Sequence, residues 1–300
     1  MRSRNPSPLR YPGGKSALAG TLEAILYGNG LQGGSFIEPF AGGAGAALKL
    51  LMGGHVQRIV INDVDRAIFS FWKAILKATD QFIEKVQNTP LTIDEWNRQR
   101  EIYQSRGRVR FLDLGFATFF LNRCNRSGIV STGGPIGGKK QLGEWKLDAR
   151  FNRAKLIERI EEIASYEEQI VIRNDDAVDL LRNLDSTLGR GRRLIFADPP
   201  YYVKGRELYL NHFSEEAHLQ LSKKLVKRKR QDWVLTYDDV PEVRKLYAGL
   251  DLTPYNLRYS AHLNSKSGGE IMITPPGMDV PDDAFEMLGR ISARSDSTEN

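Results

Sequence analysis

The chain has 300 residues, 41% of them hydrophobic and 27% charged, a balance that excludes global disorder and a fibrous repeat. Lys and Arg number 43 against 37 Asp and Glu, a formal charge of +6 that leans toward a polyanionic partner. A single cysteine, Cys124, and four histidines exclude an internal disulfide and give no zinc-ligand spacing, so no metal is expected. No apolar run approaches the roughly 18 residues of a membrane span, and the first residues lack the apolar core of a signal peptide. A cytoplasmic protein without a membrane partner is the expectation.

In chain order, short apolar strands alternate with helical periodicity, the pattern of an α/β domain on a largely parallel sheet. Ser35 to Glu38 reads as a strand running into a glycine-rich turn, with a helix from about Ala44 to Met52, and Ile59 to Asn62 as the next strand. Val64, Ala67, Ile68, Phe71, Trp72, Ile75 and Leu76 then recur at helical spacing, which predicts a buried stripe. From about Thr79 to Tyr166 the rhythm gives way to helical pieces interrupted by a glycine-dense stretch, Ser127 to Gly143. Between Asp94 and Ile160 stand 14 basic and 7 acidic residues, so this block alone exceeds the surplus of the whole chain. Strands resume at Ile170 to Arg173, Leu194 to Ala197 and Trp233 to Tyr237, with a hairpin expected from Tyr259 to Thr274. The expected organisation is a discontinuous sheet domain (1–78 and 167–278), a basic insert (79–166) and an acidic, frayed tail (279–300).

Two segments suggest chemistry by themselves. In Glu38-Pro39-Phe40-Ala41-Gly42-Gly43-Ala44-Gly45, glycines between a strand and a helix let the backbone approach a ligand and aim helix amides at it. The same glycines would serve an ordinary tight turn. Asp63, at the end of the next strand, points instead to a nucleoside, because a carboxylate there can accept from both ribose hydroxyls. The other segment, Leu194 to Tyr201, is an apolar strand ending in Asp198-Pro199-Pro200-Tyr201. Prolines stiffen that turn and leave carbonyls free to accept from an amine. Tyr201 offers a flat face for stacking, and a rigid loop with Asp198 as a helix cap is the plainer alternative.

With these segments in hand, the chain resembles the Dam-type, alpha-class DNA adenine-N6 methyltransferases, which use S-adenosylmethionine. Asp198-Pro199-Pro200-Tyr201 resembles their catalytic motif, Glu38-Pro39-Phe40 with Gly42 and Gly43 their cofactor loop, and Asn62-Asp63 the position that holds the cofactor ribose. Tyr11-Pro12-Gly13-Gly14-Lys15 is similar to the segment that closes over the cofactor. It is no phosphate-binding P-loop, because the position five residues before Gly14 is Leu9. The likeness extends to about Pro275. It implies a Rossmann-like methyltransferase fold, mostly parallel with a carboxyl-terminal antiparallel hairpin, and an inserted, mainly helical target-recognition domain. It also implies that Asp198 and the Pro199 carbonyl orient the adenine amine and that Tyr201 stacks on a base flipped out of the duplex. An acid after Arg173 would face the cofactor adenine: Asp176 is favoured over Asp175, although either would cap the following helix. His218 lies on the apolar face of a later helix and is read as structural.

Double-stranded DNA is the implied partner, read by the insert. Leu121 to Gly128 resembles the family's Asn-Arg segment, which makes Asn122, Arg123, Arg126 and Ser127 the expected DNA contacts, with Lys139 and Lys140 beyond them. Where Dam carries a wedge aromatic and a base-reading arginine, this chain carries Arg126 and Ser131, so the resemblance does not carry GATC specificity over to it. Transfer to another planar amine, such as cytosine carbon 4, RNA adenine or a protein amide, and a catalytically inactive relative are the alternatives.

Overall fold

The structure, a computed structural model, describes residues 5–10, 15–202, 213–228, 230–255 and 269–281. Strands β1 (Ser35–Glu38), β2 (Arg58–Asn62), β3 (Ile170–Arg173), β4 (Arg193–Ala197), β5 (Trp233–Asp238), β6 (Asp251–Tyr255) and β7 (Glu270–Thr274) form one sheet in the order β3-β2-β1-β4-β5-β7-β6. The first five pair in parallel, and β7 runs antiparallel to both β5 and β6. The antiparallel end is thus built by β6, which sequence reading left unassigned, pairing with β7. The expected hairpin segment from Tyr259 to Gly268 lies outside the described residues, as do Tyr11, Gly14 and almost all of the acidic tail.

Strand alternation sends side chains to two separate cores. Phe36, Ile59, Ile61, Leu194 and Phe196 face one side, and Ile37, Val60, Ile195, Ala197 and Leu235 the other. Helices α1 (Ala19–Gly28), α2 (Gly45–Met52) and α3 (Arg66–Lys77) cover the first face. Helices α8 (Ala177–Leu188), α9 (Glu215–Val226) and α10 (Pro241–Leu246) cover the second. Covering both faces is what nearly continuous apolar parallel strands require.

The segment expected as an insert consists of α4 (Thr79–Asn88), α5 (Ile93–Gln104), α6 (Phe111–Cys124), an irregular segment and α7 (Arg153–Ala164). Its helices share one apolar cluster with α3 rather than forming a core of their own. Phe71 of α3 stacks on Phe119 of α6 at 6.0 Å between ring centres. Gly115 permits the approach, since a Cβ there would lie 2.5 Å from the Ser70 carbonyl oxygen. The predicted stripe on α3 is buried except at Val64, which is 56% exposed. Asp65 caps α3 by accepting from the Ala67 amide, so Val64 falls in the turn ahead of the helix.

Candidate active site

Strands β1 and β4 are neighbours, and the chain leaves their carboxyl ends for opposite sides of the sheet, which opens a crevice at this switch point. A cavity of about 580 Å³ occupies it, lined by Lys15, Glu38 to Gly45, Asp63, Val64, Asp176, Asp198, Pro200 and Phe213 among others. It extends along the insert to Tyr103, Thr118 and Ile129 to Ser131.

Asp198 stands just beyond β4. The parallel register that pairs Ala197 with Leu235 sets it beside Thr236 of β5, whose hydroxyl donates to Asp198 Oδ1 at 2.7 Å. Lys15, in the 3₁₀ turn Lys15–Leu18, approaches the same oxygen at 3.3 Å. Its ammonium also donates to Glu270 Oε2 at 3.1 Å and to the Tyr201 hydroxyl, and lies 4.8 Å from the Tyr201 ring centre. The Tyr255 hydroxyl donates to Glu270 Oε2 at 2.8 Å, across the β6–β7 pair that sets these residues opposite each other. Burial pushes the Asp198 carboxyl above its ordinary range, while the Lys15 charge and the Thr236 hydroxyl pull the other way. A well-oriented acceptor facing the cavity, held between these opposing influences, is the result.

The glycine turn is held from three sides. Glu38 Oε1 accepts from the Ala47 amide of α2 at 3.2 Å, Asp63 Oδ2 accepts from the Gly42 amide at 3.0 Å, and Trp72 of α3 donates to the Gly42 carbonyl at 2.9 Å. Gly42 has φ of 46°, a left-handed conformation that suits glycine. Asn62, fully buried, donates to the Pro39 and Asp175 carbonyls and accepts from the Asp175 amide. It therefore ties together the turns after β1, β2 and β3. Burial raises Glu38 to about 8 and Asp63 to about 7, opposed by the backbone amides that each accepts. Asp176 caps α8 through the Val178 and Asp179 amides and lines the cavity, whereas Asp175 is taken up by Asn62 and Arg173. Asp176 thus caps the helix, as expected of either acid, and also borders the cavity.

Sequence reasoning missed Thr236, Tyr255 and Glu270. A lone carboxylate opening the apolar strand Glu270–Thr274 was the one available signal. His218 is buried, with Nδ1 2.6 Å from the Tyr237 hydroxyl and its ring against Tyr202 and Phe213, a packed structural position.

Within the segment read as an insert, two expected DNA contacts are engaged by the chain itself. Asn122, 1% exposed, accepts from the Arg10 amide at 2.7 Å and donates to the Arg10 and Gly128 carbonyls. Arg123 donates to the Arg150 carbonyl and to that of Pro8. Asn122 lies on the buried side of α6, where main-chain groups of residues 5–10 need partners, and the half-buried Arg123 is tied chiefly to the Arg150 carbonyl. Arg126, Ser127, Lys139 and Lys140 are exposed, and Ser131 lines the far end of the cavity.

Among the described residues no group of His, Cys, Asp or Glu is placed to hold a metal ion, and no helix is long and apolar enough to cross a membrane. The sheet order, the glycine turn with its acid after β2, and the acid-Pro-Pro-aromatic turn after β4 together define a Rossmann-like methyltransferase. The family model for the D12 class N6 adenine-specific DNA methyltransferases matches residues 11–261, and the chain belongs to that family. It is an adenine-specific DNA methyltransferase. No curated protein matches the chain. Among solved structures, two of the rRNA methyltransferase aviRa from Streptomyces viridochromogenes are similar, each at 15% identity. One has a TM-score of 0.34 over 89% of this chain and 85% of that chain, the other 0.38 over 93% and 88%. Likeness at this level carries no argument about the substrate.

Proposed function

We propose that the protein transfers a methyl group from S-adenosylmethionine to the 6-amino group of an adenine flipped out of duplex DNA. The observation that carries the reading is Asp198, a partly desolvated carboxylate fixed by Thr236 and Lys15 at the mouth of a nucleoside-sized cavity. The cavity fits the cofactor: its volume lies in the range of small-molecule sites, and its acidic wall of Glu38, Asp63 and Asp198 suits a cationic ligand bearing ribose hydroxyls. Bound there, S-adenosylmethionine would supply a sulfonium methyl open to in-line attack.

The chain's own residues would do the rest. Asp63 accepts from the ribose, Glu38, Pro39, Phe40, Gly42 and Gly43 form the floor, and Asp176 faces the adenine of the cofactor. Tyr11 and Gly14 belong to the segment expected to close over it, with Lys15 at that segment's end. An exocyclic amine is a poor nucleophile because its lone pair is delocalised into the ring. Asp198 and the Pro199 carbonyl accept its two hydrogens, turning the lone pair out of conjugation. Asp198 then takes the proton that the nitrogen loses on methylation. Pro200 keeps the turn rigid and Tyr201 stacks on the base. Orientation and a preorganised acceptor for developing positive charge are the effects invoked.

Base extrusion is part of the proposal, because an amine inside a stacked duplex cannot reach a pocket at the strand ends. The exposed Arg126, Ser127, Lys139 and Lys140, with Ser131 at the cavity's far end, are the surface assigned to DNA, whereas Asn122 and Arg123 hold that surface in place. Incubation of DNA with protein and S-adenosylmethionine, followed by hydrolysis to nucleosides, tests the reading. N6-methyldeoxyadenosine is expected, and methylated cytosine in its place would overturn it.

A further inference from the structure

We propose that the end of the parallel strands opposite the cavity carries a second, sequence-independent site for duplex DNA, which holds the phosphate backbone of a stretch other than the one being methylated. The inference rests on the DNA-methylating function proposed above, which brings the polyanion to the protein. Residues 179–193 and 223–232 hold ten basic and three acidic residues, a surplus of seven that equals the one between Asp94 and Ile160.

Three segments gather this charge. Arg182 stands on α8, Arg190 and Arg192 precede β4, and Lys223, Lys224 and Lys227 lie at the end of α9. All are exposed except the half-buried Lys224. The carboxylates nearby are already engaged: Asp179 pairs with Arg182, Asp232 with Arg228, and Asp185 with both Arg193 at 2.9 Å and Arg230 at 3.7 Å. Among the described residues Arg190, Arg192 and the three lysines of α9 form no ion pair. Burial and the charges of Arg182 and Arg228 hold Lys224 below its ordinary range, as crowding by like charges does. The negative end of α9 favours Lys223 and Lys224. It does not account for Arg190 and Arg192, which lie in a separate loop. Like charges brought together from different segments repel one another, and a bound polyanion offsets that repulsion.

Position separates this surface from the catalytic crevice. Helix α9 starts beside Ser214 and Ala217 in the cavity wall, and α8 beside Asp176. Each then runs 12 residues, which carries its far end about 18 Å away at 1.5 Å per residue. Duplex DNA keeps its direction over roughly 150 base pairs, so the stretch seated at the crevice cannot fold back onto this surface. A second stretch must occupy it. The make-up of the patch favours DNA over protein or lipid. Val226, 36% exposed, is the one large apolar side chain exposed there among the described residues. A protein interface has an apolar core and a membrane-bound helix an apolar face, whereas cations alone suit phosphates.

A short duplex of G·C pairs, which offers no adenine, is the probe. Sedimentation of the full chain with this duplex at low salt should show two duplexes bound per wild-type chain. The triple variant Lys223→Gln, Lys224→Gln, Lys227→Gln should bind the second duplex roughly ten-fold more weakly, through lost phosphate contacts. The double variant Arg190→Gln, Arg192→Gln, which leaves α9 untouched, should do the same. Both variants should methylate a short target duplex at the wild-type rate, since none of these residues borders the cavity. One duplex per wild-type chain, or a second step unchanged in both variants, would overturn the proposal while leaving the methylation reading intact. Binding of polyglutamate or of phosphatidylserine vesicles that the variants lose, with no second duplex bound by the wild type, would overturn it too. A failure of the functional reading looks different: the wild-type protein would methylate no adenine in any duplex, and the second-site proposal would fall with it.

Discussion

Lys15 Nζ lies 3.1 Å from Glu270 Oε2, so a residue of the amino-terminal 3₁₀ turn is fastened to the antiparallel end of the sheet. The same ammonium is 3.3 Å from Asp198 Oδ1. Lys15 thus serves two carboxylates, and each affects the other: the Lys15 charge lowers the proton affinity of Asp198 and the Glu270 charge raises it. Opposite pH effects follow from removing either charge. In Lys15→Met the acid limb of the kcat profile should move to higher pH, because Asp198 then holds its proton more tightly. In Glu270→Gln it should move to lower pH. Shifts of the same sign in both variants would mean that the limb does not report Asp198.

Glu38 offers a stability test. Its folded-state pKa, raised by burial to about 8 from an ordinary 4.5, means that the neutral form is favoured in the fold. The contribution to stability is fully present below pH 4.5 and is lost as pH rises through about 8. Thermal unfolding of wild type and Glu38→Gln across that window should show a growing advantage for the variant toward high pH. A difference that is flat with pH would show that Glu38 is not held neutral. Cofactor binding should act in the same direction on protons. A cation beside Glu38 and ribose donors on Asp63, raised to about 7, favour the carboxylates, so calorimetry in buffers of different ionisation heat should detect proton release.

On the proposed reading, the polar residues of the insert divide into struts and DNA contacts. Asn122→Ala removes three hydrogen bonds, one buried and two partly buried, and should cost about 1–3 kcal/mol of stability for each main-chain group left unsatisfied. The double variant Lys139→Ala, Lys140→Ala should keep its stability. It should flatten the salt dependence of DNA binding by about two units of slope, near 0.9 per phosphate contact. Arg123→Ala should behave like Asn122→Ala and leave that slope unchanged. The reverse pattern, with Arg123 controlling the slope, would place its guanidinium on DNA.

The sheet was legible because its strands are short apolar runs bounded by polar or turn residues: β1 and β3 fall where the sequence places them, and β2, β4 and β5 differ by one residue at an end. Strand β6 was not, since Asp251–Tyr255 contains a proline and half-exposed positions at the sheet edge. Asp198, Asp63 and Lys15 were read from local motifs, and the cavity gathers them together. Glu270 could not be read that way, because its partner Lys15 is 255 positions distant. Asn122 and Arg123 show a different limit: a polar residue near a helix end looks the same in sequence whether it meets a phosphate or a carbonyl of its own chain.

The most direct measurement is methyl transfer by Asp198→Ala, with labelled S-adenosylmethionine and duplex DNA, next to cofactor binding by the same variant. Removing the carboxylate takes away the acceptor that turns the amine lone pair out and receives its proton, while the Lys15–Glu270 pair and the sheet remain. Cofactor binding retained with N6-methyldeoxyadenosine reduced to background is the predicted result. Substantial turnover by Asp198→Ala would contradict the account.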